Sequence, residues 1–194
     1  MSSDFNKDAL LRSAKRINVS YFKEQQEDAI NAIWQWWQSQ SISFTLSGYA
    51  GTGKTFIMRH LVRYLIVEKV CVTAPTHKAL RVLENSSGKK GMTIQSLCGL
   101  RPDVDIEDYN IENPSFKVIG EQKMRGYRLV IIDECSMINP GLFNLLIKTA
   151  IQCRCKLLFL GDELQIPYVV KRMKGEEEDT YNRISPSFTH TDVQ

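Results

Sequence analysis

The segment Gly48–Thr55 constrains the fold of this chain more than any other. It reads G-x-x-x-x-G-K-T, a pattern in which glycines allow a tight turn that directs backbone N–H groups at phosphate oxygens. Strand-like residues 42–47 precede it, and residues 54–67 follow with apolar side chains at helical spacing. Because a helix N-terminus favours anions, the segment predicts a phosphate-binding loop at a strand–helix junction of an α/β domain.

Residue types within this loop predict distinct contacts to a nucleoside triphosphate. Lys54 is expected to reach the β- and γ-phosphates, and the Thr55 hydroxyl is expected to hold Mg²⁺. The full set of candidate nucleotide contacts in the loop is Gly48, Ala50, Gly51, Thr52, Gly53, Lys54 and Thr55.

Strand-like and helical segments alternate along most of the chain. In order they are a helix at 22–39, a strand at 42–47, a helix at 54–67, a strand at 70–74, a helix at 76–84, a strand at 128–132, a helix that begins at Asn139-Pro140, and a strand at 155–160. Repeated βα units predict a parallel sheet with helices on both faces. The polar residues 99–123 interrupt this series like an insertion.

Two predicted strands end in polar residues that suit phosphoryl chemistry. Asp133 and Glu134 follow the strand at 128–132, where Asp133 is expected to hold Mg²⁺ through water and Glu134 to activate the attacking water. Gln165 follows the last strand, and its amide suits contact with the γ-phosphate or with water. The alternatives are a charged pair that simply ends a strand and an ordinary loop glutamine.

Composition and cysteine count narrow the class of protein. No apolar run approaches the roughly 20 residues that a membrane span needs, and the first residues lack the apolar core of a signal peptide, so the cytoplasm is the expected location.

The five cysteines are an odd number without zinc-ligand spacing, which predicts buried free thiols. Three tryptophans at 34–37 suit a stacking platform or a helix packed on a core, and helical spacing favours the core.

The motifs together resemble those of superfamily 1B DNA helicases, the RecD-like group, and most closely the Dda-type phage helicases. The matching segments, in chain order, are residues 22–29 (Q motif), 48–55 (motif I), 74–79 (motif Ia), 93–97, 131–137 (motif II) and 161–167 (motif III). The resemblance covers about residues 22 to 170. It implies a RecA-like first motor domain over 22–170, with an N-terminal extension at 1–21, a β-hairpin insertion at 99–123, and a charged loop and tail at 171–194.

For function, the resemblance implies a monomeric motor that couples hydrolysis of Mg-ATP to 5′-to-3′ movement on single-stranded DNA. Gln26 would read the adenine. The residues placed on the DNA strand are Pro75, Thr76, His77 and Lys78, with Thr93 and Gln95 nearby, and Phe116 or Tyr109 is a candidate for stacking on a base at the fork. On residue type alone, His77 and Lys78 also suit a plain solvated helix start.

The chain departs from the family pattern in three respects. Gln95 stands where members usually have His, and Tyr168 replaces a common Pro. The second RecA-like domain, which supplies arginine fingers worth about 10³–10⁵ in rate in related enzymes, is not expected within these 194 residues. The chain alone is therefore expected to bind Mg-ATP, to hydrolyse little and to unwind nothing.

Two other readings stay open at this point. One is a phosphate-loop ATPase that does not act on DNA, and the other is a non-enzymatic nucleotide-binding module that needs a partner. Salt-dependent binding of a single-stranded oligonucleotide separates the first from a helicase domain, and turnover that appears only with a partner identifies the second.

Overall fold

The computed structural model describes residues 24–64, 69–100, 120–165 and 184–189. The predicted N-terminal extension, the aromatic candidates Tyr109 and Phe116, and Tyr168 lie outside the described residues. So do most of the predicted hairpin insertion and of the charged segment at 171–194.

Five parallel strands form a single sheet. They are β1 (Ser43–Ser47), β2 (Val70–Ala74), β3 (Met92–Thr93), β4 (Leu129–Ile132) and β5 (Lys156–Gly161), in the spatial order β1-β5-β4-β2-β3. The predicted parallel sheet is confirmed. Because all strands run the same way, their carboxyl ends meet at one edge, and the polar segments that follow them are brought together there.

Six α-helices and two 3₁₀ turns complete the described elements. The helices are α1 (Glu24–Gln38), α2 (Lys54–Tyr64), α3 (His77–Ser87), α4 (Ile94–Cys98), α5 (Pro140–Cys153) and α6 (Pro186–Thr189), and the 3₁₀ turns are Lys123–Gly126 and Cys135–Met137. Local chemistry sets the ends of several helices. The Asn139 side chain accepts the Leu142 N–H at 2.8 Å with Pro140 in the first turn, as the sequence predicts.

Helices cover both faces of the sheet, each over its own core. Consecutive strand residues alternate between the two faces, so Ile131 and Leu158 pack with α1, α2 and α3, whereas Val130 and Leu157 pack with α4 and α5 on the other side. The strand residues on both faces are buried, which explains why β4 and β5 are nearly continuous apolar runs. Among the described helices, none is long and apolar enough to cross a membrane.

The tryptophans of α1 belong to the core. Trp36 is 1% exposed and its ring stacks on Phe44, with ring centroids 5.7 Å apart. The Lys156 ammonium lies over the Trp36 ring and donates hydrogen bonds to the carbonyl oxygens of Trp36, Ser39 and Ser41 at 3.0, 2.9 and 2.7 Å. One lysine therefore satisfies the carbonyls at the end of α1 and joins that helix to the start of β5.

The cysteines are free thiols, as expected. Four are buried and Cys153 is half-buried. Burial raises the pKa of Cys71, Cys98, Cys135 and Cys155 to about 12, so these thiols stay protonated and unreactive at neutral pH.

Candidate nucleotide site and nucleic-acid cleft

The phosphate loop joins β1 to α2 and turns through two glycines. Gly51 and Gly53 have φ values of +82° and +96°, in the region that glycine adopts at little cost. The Lys54 ammonium folds back over the loop and donates hydrogen bonds to the carbonyl oxygens of Gly48 and of Tyr49, the latter at 3.0 Å. The Thr52 hydroxyl donates to the same Tyr49 oxygen at 2.8 Å. The loop is thus held in a closed turn around a lysine charge.

Gln26 of α1 lies against this loop. Its side-chain amide donates to the Thr52 carbonyl oxygen at 3.1 Å, and a Cβ added to Gly53 would lie 2.2 Å from the same amide nitrogen. Position 53 therefore favours glycine for its φ angle, and a Cβ there would displace the Gln26 amide from the loop. The start of α1 is fixed to the phosphate loop, and the adenine-reading role of Gln26 stays a prediction.

A cavity of about 360 Å³ opens over the loop. Its lining combines three segments that the sequence predicts to cooperate: Ala50, Gly51, Gly53, Lys54 and Thr55 from the loop, Asp133 and Glu134 after β4, and Gly161 and Gln165 after β5, with Val82 of α3. Among the described residues that line this cavity, Lys54 is the one cation. The parallel sheet explains the assembly, because β1, β5 and β4 are adjacent and end at the same edge.

The two carboxylates after β4 differ in setting. Asp133 is bound through its N–H to the Thr73 carbonyl oxygen at 3.0 Å, and its carboxylate accepts the Glu134 N–H at 3.0 Å. Burial raises the Asp133 pKa, while the bond from Glu134 and the charge of Lys54 oppose that rise. Glu134 has a φ of +54°, an uncommon backbone for a non-glycine residue. Partial burial and the Asp133 charge raise its pKa, against the charge of Lys78.

The donor set of this cavity fits Mg²⁺ bound together with a nucleotide. Within the described part of the chain, no group of three or more His, Cys, Asp or Glu side chains could hold a metal ion by itself. Mg²⁺ usually keeps several waters and binds through one or two carboxylates plus substrate phosphates. Thr55 and Asp133 line the same cavity as the phosphate loop, so they suit such a site.

Asp162 is a buried polar residue at this edge that lies within the motif III segment 161–167, but the sequence analysis gave it no role of its own. One carboxylate oxygen accepts the Ala50 N–H at 2.9 Å and the other accepts the Leu164 N–H at 3.0 Å. The side chain is 6% exposed. Its place directly after β5, next to the phosphate loop in a parallel sheet, is the sequence signal by which it could have been found.

A second cleft, of about 680 Å³, lies at the carboxyl ends of β2 and β3. Five of the predicted nucleic-acid residues line it, namely Pro75, Thr76, His77, Thr93 and Gln95. Ser96, Gly99, Leu100, Gly120, Glu121 and Lys123 complete the lining. Lys78 does not line it, and Phe116 lies outside the described residues. The cleft therefore brings together two segments that are distant in sequence, after β2 and after β3.

Polar atoms of the second cleft are partly used by the fold. The Thr76 hydroxyl accepts the Ala79 N–H at 3.1 Å, and the Thr93 hydroxyl accepts the Ser96 N–H at 3.3 Å. Both threonines thus cap the helix that follows them. The Gln95 side-chain oxygen is buried without a hydrogen-bond partner.

Lys123, which the sequence analysis did not select, adds a cation to the rim of this cleft. Its ammonium donates to the Ser96 hydroxyl at 3.3 Å. It begins the 3₁₀ turn Lys123–Gly126, which comes soon after the segment 101–119 that lies outside the described residues. A lone lysine between an insertion and a strand has no distinguishing motif, so only the fold places it here.

Comparisons with known proteins place this chain in a family. The AAA domain family AAA_19 matches residues 26–171. The ATP-dependent DNA helicase dda of Enterobacteria phage T4 is 33% identical over 172 residues, which cover 87% of this chain and 36% of that protein. The chain thus spans about a third of the length of this relative.

Solved structures of Bacteroides Pif1 have the same fold. One in complex with ADP-AlF4 is 24% identical with a TM-score of 0.54, and the match covers 79% of this chain and 35% of that one. Another, bound to ssDNA, is 23% identical with a TM-score of 0.52, over 78% of this chain and 34% of that one. The chain belongs to the AAA domain family AAA_19, and it matches the N-terminal RecA-like motor domain of superfamily 1B helicases of the Dda and Pif1 type.

Proposed function

We propose that this chain is the ATP-binding motor domain of an ATP-dependent 5′-to-3′ DNA helicase that acts on single-stranded DNA. The observation that carries the proposal is the pair of clefts bordered by α3, one lined by the phosphate loop with Asp133 and Glu134, the other by the segments after β2 and β3. The name of the dda relative and the ssDNA complex of Pif1 support the assignment of the second cleft to DNA.

The cavity over the phosphate loop is called the nucleotide cleft below, and each residue in it has a proposed task. Backbone N–H groups of the loop and Lys54 bind the phosphates, and Thr55 and Asp133 hold Mg²⁺, which neutralises charge on the β- and γ-oxygens when it is bound. Glu134 accepts a proton from the attacking water. The raised pKa of Glu134 suits this role, because a base is most effective when its pKa approaches the working pH. Gln165 contacts the γ-phosphate.

The chain alone is proposed to bind Mg-ATP but to hydrolyse it slowly. Lys54 is the one cation among the described residues that line the nucleotide cleft, whereas the transition state of phosphoryl transfer spreads negative charge over three oxygens. An added arginine contributes about 10³–10⁵ in rate in related enzymes. In this proposal a second motor domain supplies that charge, and unwinding requires it.

The second cleft is proposed to bind the phosphate backbone of the strand. The Thr76 and Thr93 hydroxyls accept backbone N–H groups, so each retains its own O–H proton for donation to a phosphate oxygen. His77 and Lys123 at the same cleft add donors. Such contacts fix the position of a strand without reading its sequence.

Binding of a fluorescent single-stranded oligonucleotide to the full chain at several salt concentrations tests this function. We expect the logarithm of the association constant to fall linearly with the logarithm of salt concentration, with a slope of about −0.7 for each phosphate contact, and the affinity to depend little on sequence. No binding at low salt, with Mg-ATP binding intact, would favour a nucleotide-binding protein that does not act on DNA.

A further inference from the structure

Asp162 makes three hydrogen bonds that join the phosphate loop to the segment containing Gln165. Its carboxylate accepts the Ala50 N–H at 2.9 Å and the Leu164 N–H at 3.0 Å, and its backbone carbonyl oxygen accepts the Gln165 N–H at 3.1 Å. Hydrogen bonds from N–H groups to an ionised carboxylate are stronger than neutral ones. The two oxygens of one side chain therefore hold two segments that are far apart in sequence.

Packing fixes the backbone on which this carboxylate sits. The preceding residue, Gly161, accepts the Gly48 N–H at 3.2 Å through its carbonyl oxygen. A Cβ at Gly161 would lie 2.5 Å from the Cys135 sulfur and 2.9 Å from the Phe188 ring. The end of β5 is thus enclosed by the turn after β4 and by α6, so Asp162 is a fixed point between two loops.

The three residues after Asp162 bury little of their side chains against the described part of the chain. The side chains of Glu163, Leu164 and Gln165 are all exposed, and that of Leu164 is 77% exposed. Ala50 and Gln165 both line the nucleotide cleft, whereas Asp162 does not. Asp162 is therefore placed to act through Ala50 and Gln165 and not on a ligand directly.

We propose that Asp162 is a positioning residue that couples the phosphate loop to Gln165, so that the protein distinguishes a nucleoside triphosphate from a diphosphate. This inference rests on the proposed function. When nucleotide binding shifts the loop around Ala50, the Asp162 carboxylate transmits that shift to Leu164 and hence to Gln165, the residue placed at the γ-phosphate. Without the carboxylate the loop still binds the α- and β-phosphates, but Gln165 is no longer held in register with it.

The test compares Asp162→Asn with Glu163→Gln, which removes the same charge from the exposed neighbouring residue. Asparagine retains one oxygen acceptor but replaces the other with an NH₂ group, which cannot accept an N–H. Dissociation constants for Mg-ADP and for a non-hydrolysable Mg-ATP analogue are measured with the full chain. We expect Asp162→Asn to reduce the preference for the ATP analogue over ADP by about 10-fold, the size of one lost charge-assisted hydrogen bond, and Glu163→Gln to leave that preference unchanged.

Gln165→Ala completes the experiment. The double variant Asp162→Asn/Gln165→Ala should show the same preference as Gln165→Ala alone, because both changes disrupt the same contact of Gln165 with the γ-phosphate. An unchanged preference in Asp162→Asn, or additive effects in the double variant, overturns the inference. Failure of the unsubstituted chain to bind any nucleotide contradicts the proposed function instead.

Hydrogen exchange in the unsubstituted chain tests the same contacts without relying on the stability of a variant. The Ala50 and Leu164 amides should be protected together, and Mg-ATP analogue should change the protection of both more than Mg-ADP does. The Ala79 amide, which donates to the Thr76 hydroxyl at 3.1 Å, is the internal control and should not respond to nucleotide. Fast exchange at Ala50, or a nucleotide response at Ala50 but not at Leu164, overturns the inference.

Discussion

The nucleotide cleft and the second cleft share α3 but present their polar groups differently. In the nucleotide cleft, Lys54 and the carboxylates of Asp133 and Glu134 line the cavity, and the loop is shaped by glycine backbone angles. In the second cleft, the hydroxyls of Thr76 and Thr93 accept backbone N–H groups as helix caps, and each keeps its own O–H proton for a ligand. Charged side chains thus define the first cleft, whereas the two threonines of the second cleft already serve as helix caps.

Lys54→Ala should have the largest effect on nucleotide affinity, and only on the nucleotide cleft. It removes the one cation among the described lining residues, so we expect Mg-ATP affinity to fall by about 100-fold or more, since charged hydrogen bonds to phosphate are among the strongest. Isothermal titration measures this, with Lys148→Ala on α5 as the control. Single-stranded DNA binding should be unchanged. Retained ATP affinity would remove the basis for the phosphate-loop assignment.

Glu134→Gln should separate chemistry from binding within the same cleft. The amide keeps the size of the side chain but cannot take a proton from water, so residual hydrolysis should fall by about 10²–10⁴ while Mg-ATP affinity stays within a few-fold. Single-turnover assays with protein in excess detect slow hydrolysis. Glu121→Gln, which alters the second cleft, is the control and should leave turnover intact. If Glu134→Gln hydrolyses normally, the base lies elsewhere.

Lys123→Gln should weaken DNA binding and leave the nucleotide cleft unaffected. Lys123 lines the second cleft, whereas Arg125 lies in the same 3₁₀ turn but does not line it. We expect Lys123→Gln to lower oligonucleotide affinity by about 3- to 10-fold and to reduce the salt slope by about 0.7, the loss of one phosphate contact. Arg125→Gln removes the same charge as a matched control. Equal effects of the two substitutions would mean that overall charge, not this cleft, attracts DNA.

Sequence reasoning grouped the residues that line the cavity over the phosphate loop because their requirements are local. Gly51, Gly53 and Lys54 lie within one loop, and Asp133 follows a recognisable buried strand, so a parallel sheet brings them to one edge without further information. All the loop, carboxylate and glutamine candidates of this cleft lie among the described residues, and most of them line one cavity.

The residues that sequence reasoning missed depend on distant contacts. Asp162 is paired with Ala50 across 112 positions, and that pairing follows from the register of β1 and β5, in which Ser47 lies opposite Gly161. The short strand β3 has two residues, too few for any periodicity. The caps formed by Thr76 and Thr93 need the start of the next helix to be known to within one residue.

Asp133→Asn should have the smallest effect. It should stabilise the nucleotide-free chain but lower its affinity for Mg-ATP. Burial raises the Asp133 pKa above its ordinary value of 3.8, so the ionised form destabilises the nucleotide-free fold. That cost is present above the raised pKa and absent below 3.8, because the folded state binds more protons than the unfolded state in between. Asparagine removes the charge but keeps an oxygen for the Glu134 N–H.

We therefore expect Asp133→Asn to raise the melting temperature of the nucleotide-free chain by a few degrees at pH 7, the usual size of a change of about 0.5–2 kcal/mol. The gain should shrink as pH falls towards 3.8, and Mg-ATP affinity should decrease. Asp28→Asn on the exposed side of α1 is the control and should show neither trend. A gain independent of pH would mean that the charge on Asp133 does not destabilise the nucleotide-free fold. The contrast with the second cleft, whose threonines stabilise the fold as helix caps, would then be lost.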